Sequence, residues 1–173
     1  MKSIKFNYLL KKHKQDIYRF SFYMIKNKSD AEDITQEVLI RTWENMDKFD
    51  FTKAKQWIIR TTYNMCIDFL RKRKITEDLI YEPEEDEEFE LPNTDTLNNP
   101  LTQMENETLK ERLNQAIQNL PEKLRTVFIM YEINDMKYKE ISELLNIPIN
   151  SIKVFLLRAR KKLQLELQSY ETK

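Results

Sequence analysis

The stretch KAKQWIIRTTYNMCIDFLRKRK, residues 53–74, decides how the chain is read. At the α-helical period its apolar residues Ile58, Ile59, Met65, Cys66, Phe69 and Leu70 gather on one arc. Arg60, Thr61, Asn64, Asp68 and Arg71 lie opposite, with Trp57 among them. One face therefore suits a core and the other a charged partner. The helix ends in Arg71-Lys72-Arg73-Lys74. Those cations suit phosphates, with salt-sensitive affinity, and equally suit the negative end of a helix dipole. Trp57 fits stacking against an unpaired base, or packing beneath the aromatic loop Phe49–Phe51.

Composition narrows what such a helix can belong to. The 173 residues include no glycine, 40% hydrophobic and 34% charged residues. Without glycine, phosphate-cradling loops and tight hairpin turns are disfavoured. Many Leu, Ile, Lys and Glu favour an all-α protein. One cysteine, Cys66, and one histidine, His13, cannot assemble a zinc cluster or an internal disulfide. No metal or cofactor is expected, and no catalytic constellation stands out. His13 sits beside Lys11, Lys12 and Lys14 and reads as a solvated surface residue. No apolar run is long enough to span a membrane, and the N-terminus lacks a signal-like core, so direct membrane insertion is not expected.

Charge is unevenly placed along the chain. Residues 1–75 hold 17 Lys/Arg against 9 Asp/Glu, and residues 101–173 hold 12 against 10. Residues 76–100 hold ten Asp/Glu, no Lys/Arg and three of the five prolines. That segment reads as an extended acidic linker between two small helical domains, 1–75 and 101–173. It can be a solvating tether or an acidic mimic of nucleic acid. The first domain is expected to hold three helices: about Ile4–Lys26, one capped near Ser29 or Asp30, and the stretch above. The second is expected to hold a helix over about 101–119, one starting at Leu120-Pro121, and two more separated by Asn146-Ile147-Pro148.

The last two segments have helix-turn-helix spacing. Ile141, Leu144 and Leu145 line the inner face of the first helix, and Ile147 plugs the turn. Ile152, Leu156, Ala159 and Leu163 line the inner face of the second. Its outer face presents Asn150, Ser151, Val154, Phe155, Arg158, Lys161 and Lys162. Such a face mixes base-edge donors, apolar groups and phosphate-binding cations. A plain helical hairpin with a solvated basic face has the same spacing.

Two motifs, in order, resemble a known family. Asp33-Ile34-Thr35-Gln36-Glu37, Trp43, Asp47-Lys48-Phe49-Asp50 and Trp57-Ile58-Ile59-Arg60 with Asn64, Asp68 and Arg71 resemble the second conserved region of bacterial RNA polymerase sigma factors. LNQAIQNLPEKLRTVFIMYEINDMKYKEISELLNIPINSIKVFLLRARKKL resembles the fourth. Two such regions around a linker are similar to the extracytoplasmic-function (ECF) group. The resemblance implies a dissociable, non-enzymatic polymerase subunit in the bacterial cytoplasm. It implies that Asp33, Gln36, Glu37 and Arg41 bind the clamp of the β′ subunit. Lys48, Phe49, Asp50 and Lys53 would line a loop that captures a flipped base. Trp57, Arg60, Thr61, Asn64, Asp68 and Arg71, with Arg73 and Lys74, would meet the promoter −10 element. The tail motif would read the −35 element and sit on the β flap. An anti-sigma protein, which can hold the chain at the membrane, is a further implied partner. The chain departs from the family at Asn146, where glycine is common, at Pro148, and at Ile149, Asn150, Val154 and Phe155 on the reading helix. A stand-alone helix-turn-helix regulator is the rival reading. It would not need the Asp33–Glu37 surface.

Overall fold

The computed structural model describes residues 1–77 and 100–171, with side chains at 1–77 and 108–170. It is all-α. The N-terminal unit holds α1 (Lys2–Ile25), α2 (Lys28–Asn45) and α3 (Ala54–Glu77), with a short 3-10 turn at Phe51–Lys53. The C-terminal unit holds α4 (Pro100–Gln118), α5 (Glu122–Phe128), a π turn at Ile129–Ile133, α6 (Tyr138–Leu145) and α7 (Ile149–Glu171). Of the acidic strip at 76–100, residues 78–99, and with them the mimic reading, lie outside the described residues, while its ends belong to α3 and α4.

Sequence chemistry accounts for the helix ends. Asn27, not Ser29 or Asp30, caps α2: its Oδ1 accepts the Asp30 N–H at 3.0 Å. Pro121 stands just before α5, where a missing N–H costs nothing. Arg125 donates to the Gln118 carbonyl at 2.6 Å, serving one of the open carbonyls at the end of α4. A chain without glycine must put other residues where the backbone turns left-handed. Lys26, Asp135 and Asn146 take those positions, with φ of 63°, 52° and 54°. Asn146 ends α6 at the helix-turn-helix turn, as its tolerance for this conformation leads one to expect. Ser142 Oγ closes the same turn on the Ile147 carbonyl at 2.6 Å.

The inner faces assign themselves as the periodicity predicts. Ile58, Ile59 and Cys66 of α3 are buried, as are Ile152, Leu156, Ala159 and Leu163 of α7. The end of α1 behaves differently. Phe20, Ser21, Phe22, Tyr23, Met24 and Ile25 are buried in succession. A helix buried all round must have partners on every side. Here α2 and α3 pack on one side of α1, and α4, α5 and the π turn on the other. One apolar cluster therefore runs from Ile17 through Ile59 and Met130 to Leu163.

The two helical domains meet along a seam that is partly polar. Tyr23 Oη donates to Asn114 Oδ1 at 2.6 Å, and both residues are buried. Thr126 Oγ1 lies 3.6 Å from Met24 Sδ. Asn134 Nδ2 donates to the Asp16 carbonyl at 3.4 Å. Gln56 Nε2 donates to Glu140 Oε1 at 2.7 Å, joining the start of α3 to α6. Burial pushes the Glu140 carboxyl up. The Lys137 N–H, the Gln56 amide and the nearby Lys137 and Lys55 charges outweigh it and hold the group below its ordinary value.

His13 corrects the surface expectation. It is buried on α1, with Nδ1 3.6 Å from Asp16 Oδ2. Its lysine neighbours in sequence point elsewhere, because Leu9 and Ile17, one turn away on each side, share its buried face.

Candidate nucleic-acid interface

The loop between α2 and α3 positions two aromatic rings. Phe49 stacks on Trp57 with centroids 4.8 Å apart and planes 20° apart. Both rings are half-buried. Trp57 thus packs on the loop along one side of its ring and keeps some exposure. Asp50 Oδ1 accepts the Thr52 N–H at 3.0 Å, starting the 3-10 turn that leads into α3. That hydrogen bond holds the Asp50 carboxyl below its ordinary value. Lys48 Nζ reaches Asn45 Oδ1 at 3.3 Å, and Lys53 is exposed beside the turn.

Beyond Trp57, the outer face of α3 forms a continuous polar strip. Arg60, Asn64, Asp68, Arg71 and Lys74 are exposed. Thr61 is half-buried, and its hydroxyl is used within the helix, donating to the Trp57 carbonyl at 2.8 Å. Arg71 pairs with Asp68 at 3.1 Å, and Arg73 with Glu77 at 2.8 Å. These are solvent-exposed pairs worth little to stability, so they yield readily to a phosphate or a base edge. Arg73 is the less available of the two, being half-buried.

On α2, Asp33, Gln36, Glu37 and Arg41 share one face, and Arg41 Nε donates to Glu37 Oε1 at 2.9 Å. The structure adds Ile40 to that face. It is 53% exposed in the middle of the polar group. An isoleucine amid charges at helical spacing is a signal that the sequence itself carries.

The tail motif forms as expected, with one adjustment. Asn150, Val154, Arg158, Lys161 and Lys162 are exposed on α7, while Ser151 is half-buried. Phe155 is half-buried against the core cluster and is not a free outer residue. Leu157, 67% exposed, supplies the apolar character assigned to Phe155. Behind α7, Tyr131 and Tyr138 stack at 4.8 Å. Arg160 and Lys153 lie 5.7 and 5.6 Å from their respective ring centroids, and Arg160 also pairs with Glu132. This brace ties α7 to the π turn and to α6, so the outer face of α7 is presented on a rigid support.

Among the described residues no group of His, Cys, Asp and Glu could hold a metal ion, and no helix is long and apolar enough to cross a membrane.

Comparison with known proteins agrees with this arrangement. Residues 9–75 match the model of sigma-70 region 2, and residues 110–163 match that of sigma-70 region 4. The chain is 33% identical over 167 residues to the ECF RNA polymerase sigma factor SigW of Bacillus subtilis (strain 168), covering 90% of this chain and 85% of that one. It is 32% identical to the ECF sigma factor SigM of the same organism, covering 86% of each. Its fold is similar to that of the sigma factor RpoE in a co-crystal structure with the anti-sigma factor NepR from Bartonella quintana. The TM-score there is 0.74 and the identity 20%, over 94% of this chain and 96% of that chain. With both conserved regions present and in order, the chain belongs to the sigma-70 family and is an RNA polymerase sigma factor of the ECF group.

Proposed function

We infer a division of labour within this sigma factor. Residues 1–75 hold core polymerase through Asp33, Gln36, Glu37 and Arg41 on the β′ clamp. The same unit opens the −10 element with Lys48, Phe49, Asp50, Lys53 and Trp57. Arg60, Thr61, Asn64, Asp68 and Arg71 read it, and Arg73 and Lys74 hold phosphate. Residues 101–173 sit on the β flap and read the −35 element through Asn150, Ser151, Val154, Arg158, Lys161 and Lys162, with Phe155 supporting that face from within. The chain does no covalent chemistry of its own and works in the bacterial cytoplasm.

The observation that carries this reading is the Phe49–Trp57 stack at the mouth of a helix with a polar outer strip. Opening DNA requires unstacking a base, which costs a few kcal/mol and is offset by stacking the extruded base on protein. A regulator that binds only closed duplex needs no such pair. The test is run-off transcription from a pool of genomic promoters, with core polymerase and this chain. Defined start sites that require the chain support the reading. Glu37→Lys should weaken core binding in a titration while helicity is unchanged. Equal affinity removes that residue from the clamp contact.

An inhibitory protein partner belongs to the same proposal. Similar folds have been solved with NepR and, in CnrH, with the cytosolic domain of CnrY. Exposed Val154 and Leu157 on α7 offer a comparable partner an apolar foothold, and such a partner can hold the chain at the membrane. Leu157→Arg should then raise activity in unstressed cells with core binding intact. Unchanged low basal activity would place the partner elsewhere.

A further inference from the structure

The start of α1 carries Lys2, Lys5, Lys11, Lys12 and Lys14, and no carboxylate precedes Asp16. Two exposed rings sit among these lysines. Tyr8 is 52% exposed, and Phe51, from the 3-10 turn after the capture loop, is 38% exposed. Their centroids are 5.9 Å apart, with planes at 36°. Lys5 Nζ lies 6.0 Å from the Phe51 centroid, and Lys12 Nζ lies 5.3 Å from that of Tyr8. Lys12 Nζ also donates to Tyr8 Oη at 3.2 Å.

Neither ring belongs to the core cluster or packs against it. The nearby carboxylates are engaged: Asp50 with the Thr52 N–H, and Asp47 with Lys2 at 2.5 Å. Among the described residues no carboxylate pairs with Lys5 or Lys12. An aromatic pair flanked by cations that no carboxylate neutralises matches a nucleotide with its base unstacked, which offers a flat face and a phosphate together. Intact duplex offers no such face, because its bases are stacked inward. Phe51 follows Phe49 by two residues, so the same loop carries one ring of each aromatic pair.

We propose that Lys5, Tyr8, Lys12 and Phe51 form a second station for single-stranded DNA, which receives the displaced strand next to the base captured at Phe49–Trp57. The station rests on the sigma-factor reading above. It gives α1, otherwise a core helix, a role in holding the transcription bubble open.

The test uses the full chain assembled with core polymerase. One DNA is a fork whose non-template strand is unpaired from the −10 element onward, and the other is the fully paired promoter blocked in the closed form. Tyr8→Ala and Phe51→Ala should each speed dissociation from the fork by about tenfold, in line with loss of one stacked base. Binding to the closed duplex and affinity for core polymerase should match wild type, and Tyr8→Phe should keep the fork lifetime. The double variant Lys5→Gln/Lys12→Gln should lower the salt dependence of fork binding by about 1.4 units, about 0.7 for each phosphate on a single strand. A 2-aminopurine scanned along the unpaired strand should show one position that is quenched in wild type and released in Tyr8→Ala.

Wild-type fork lifetimes in both alanine variants, with promoter-specific transcription by the wild-type chain, would overturn the station and leave the sigma reading standing. Loss of core-polymerase affinity in Tyr8→Ala would overturn it in favour of a protein contact. Absence of promoter-specific transcription by the wild-type chain would overturn both.

Discussion

The two helices proposed to face DNA, α3 and α7, are built alike inside and differently outside. Each buries an apolar stripe, Ile58-Ile59-Cys66 in one and Ile152-Leu156-Ala159-Leu163 in the other. The outer face of α3 is polar and begins at the Phe49–Trp57 stack on a loop. The outer face of α7 mixes cations with exposed Val154 and Leu157, and it is braced from behind by Tyr131, Tyr138 and Arg160. A loop-borne aromatic pair can accept a base that has left its stack. A braced helix suits a groove whose shape does not change. The difference lies in what supports each helix more than in the helices' own patterns.

Loosening the two inner faces tests whether they are independent. Ile59→Ala and Leu156→Ala should each cost about 3 kcal/mol. Because the core is continuous across the seam, calorimetry should show one transition that moves down in both variants. Two transitions, each sensitive to only one variant, would separate the units. The seam itself comes next. Tyr23→Phe leaves Asn114 Oδ1 buried without its donor, at a cost of about 1–2 kcal/mol. A distance probe between α2 and α7 should then report a larger open population, and an unchanged distribution would make the apolar contacts sufficient.

The reading faces should separate by kind of loss. Asn64→Ala should change which −10 bases are preferred. Lys74→Ala should weaken all promoters alike and reduce the salt slope by about one unit. The same loss on every −10 variant in both would erase the distinction between reading and holding. A smaller effect concerns the turns that end α1 and α6. Lys26 adopts a left-handed conformation that suits glycine better, so Lys26→Gly should stabilise by about 0.5 kcal/mol. Asn146→Gly should gain less, because asparagine already tolerates that conformation. Denaturant midpoints decide the order. The smallest effect at neutral pH is at Cys66, which gives the inner face of α3 a titratable group. Burial pushes its thiol from 9.0 up to about 12. The neutral thiol's contribution is therefore complete below pH 9 and is lost as pH rises towards 12. Alkylation of the native protein at pH 8 should be slow, and denaturant should release it.

Some particular residues were open to sequence reasoning and others were not. The helices of both units follow from apolar spacing, and the left-handed Asn146 follows from the lack of glycine. The lysine neighbours of His13 suggest a surface residue, whereas Leu9 and Ile17 at one-turn spacing mark its face as buried. The run RFSFYMI, residues 19–25, carried a signal that periodicity overlooks: a helix end apolar on all sides implies partners on all sides. The helical angle of Phe155 puts it on the outer face, but its ring packs back onto the core from the edge of the stripe. Tyr8 and Phe51 are not marked by the sequence, because nothing in a single helix pattern says which exposed apolar residues will meet across elements.

What the sequence determined by itself was the local order: the seven helices of the described residues, the turn at Asn146, two inner stripes, and the polar strip that follows Trp57. These depend on residues three or four apart, whose relation the helix period sets. Only the tertiary structure decided that α1 carries both units, that Tyr23 meets Asn114, and that Tyr8 meets Phe51. Those pairs join residues 91 and 43 positions apart, and no local rule relates such positions until the apolar surfaces between them are buried together.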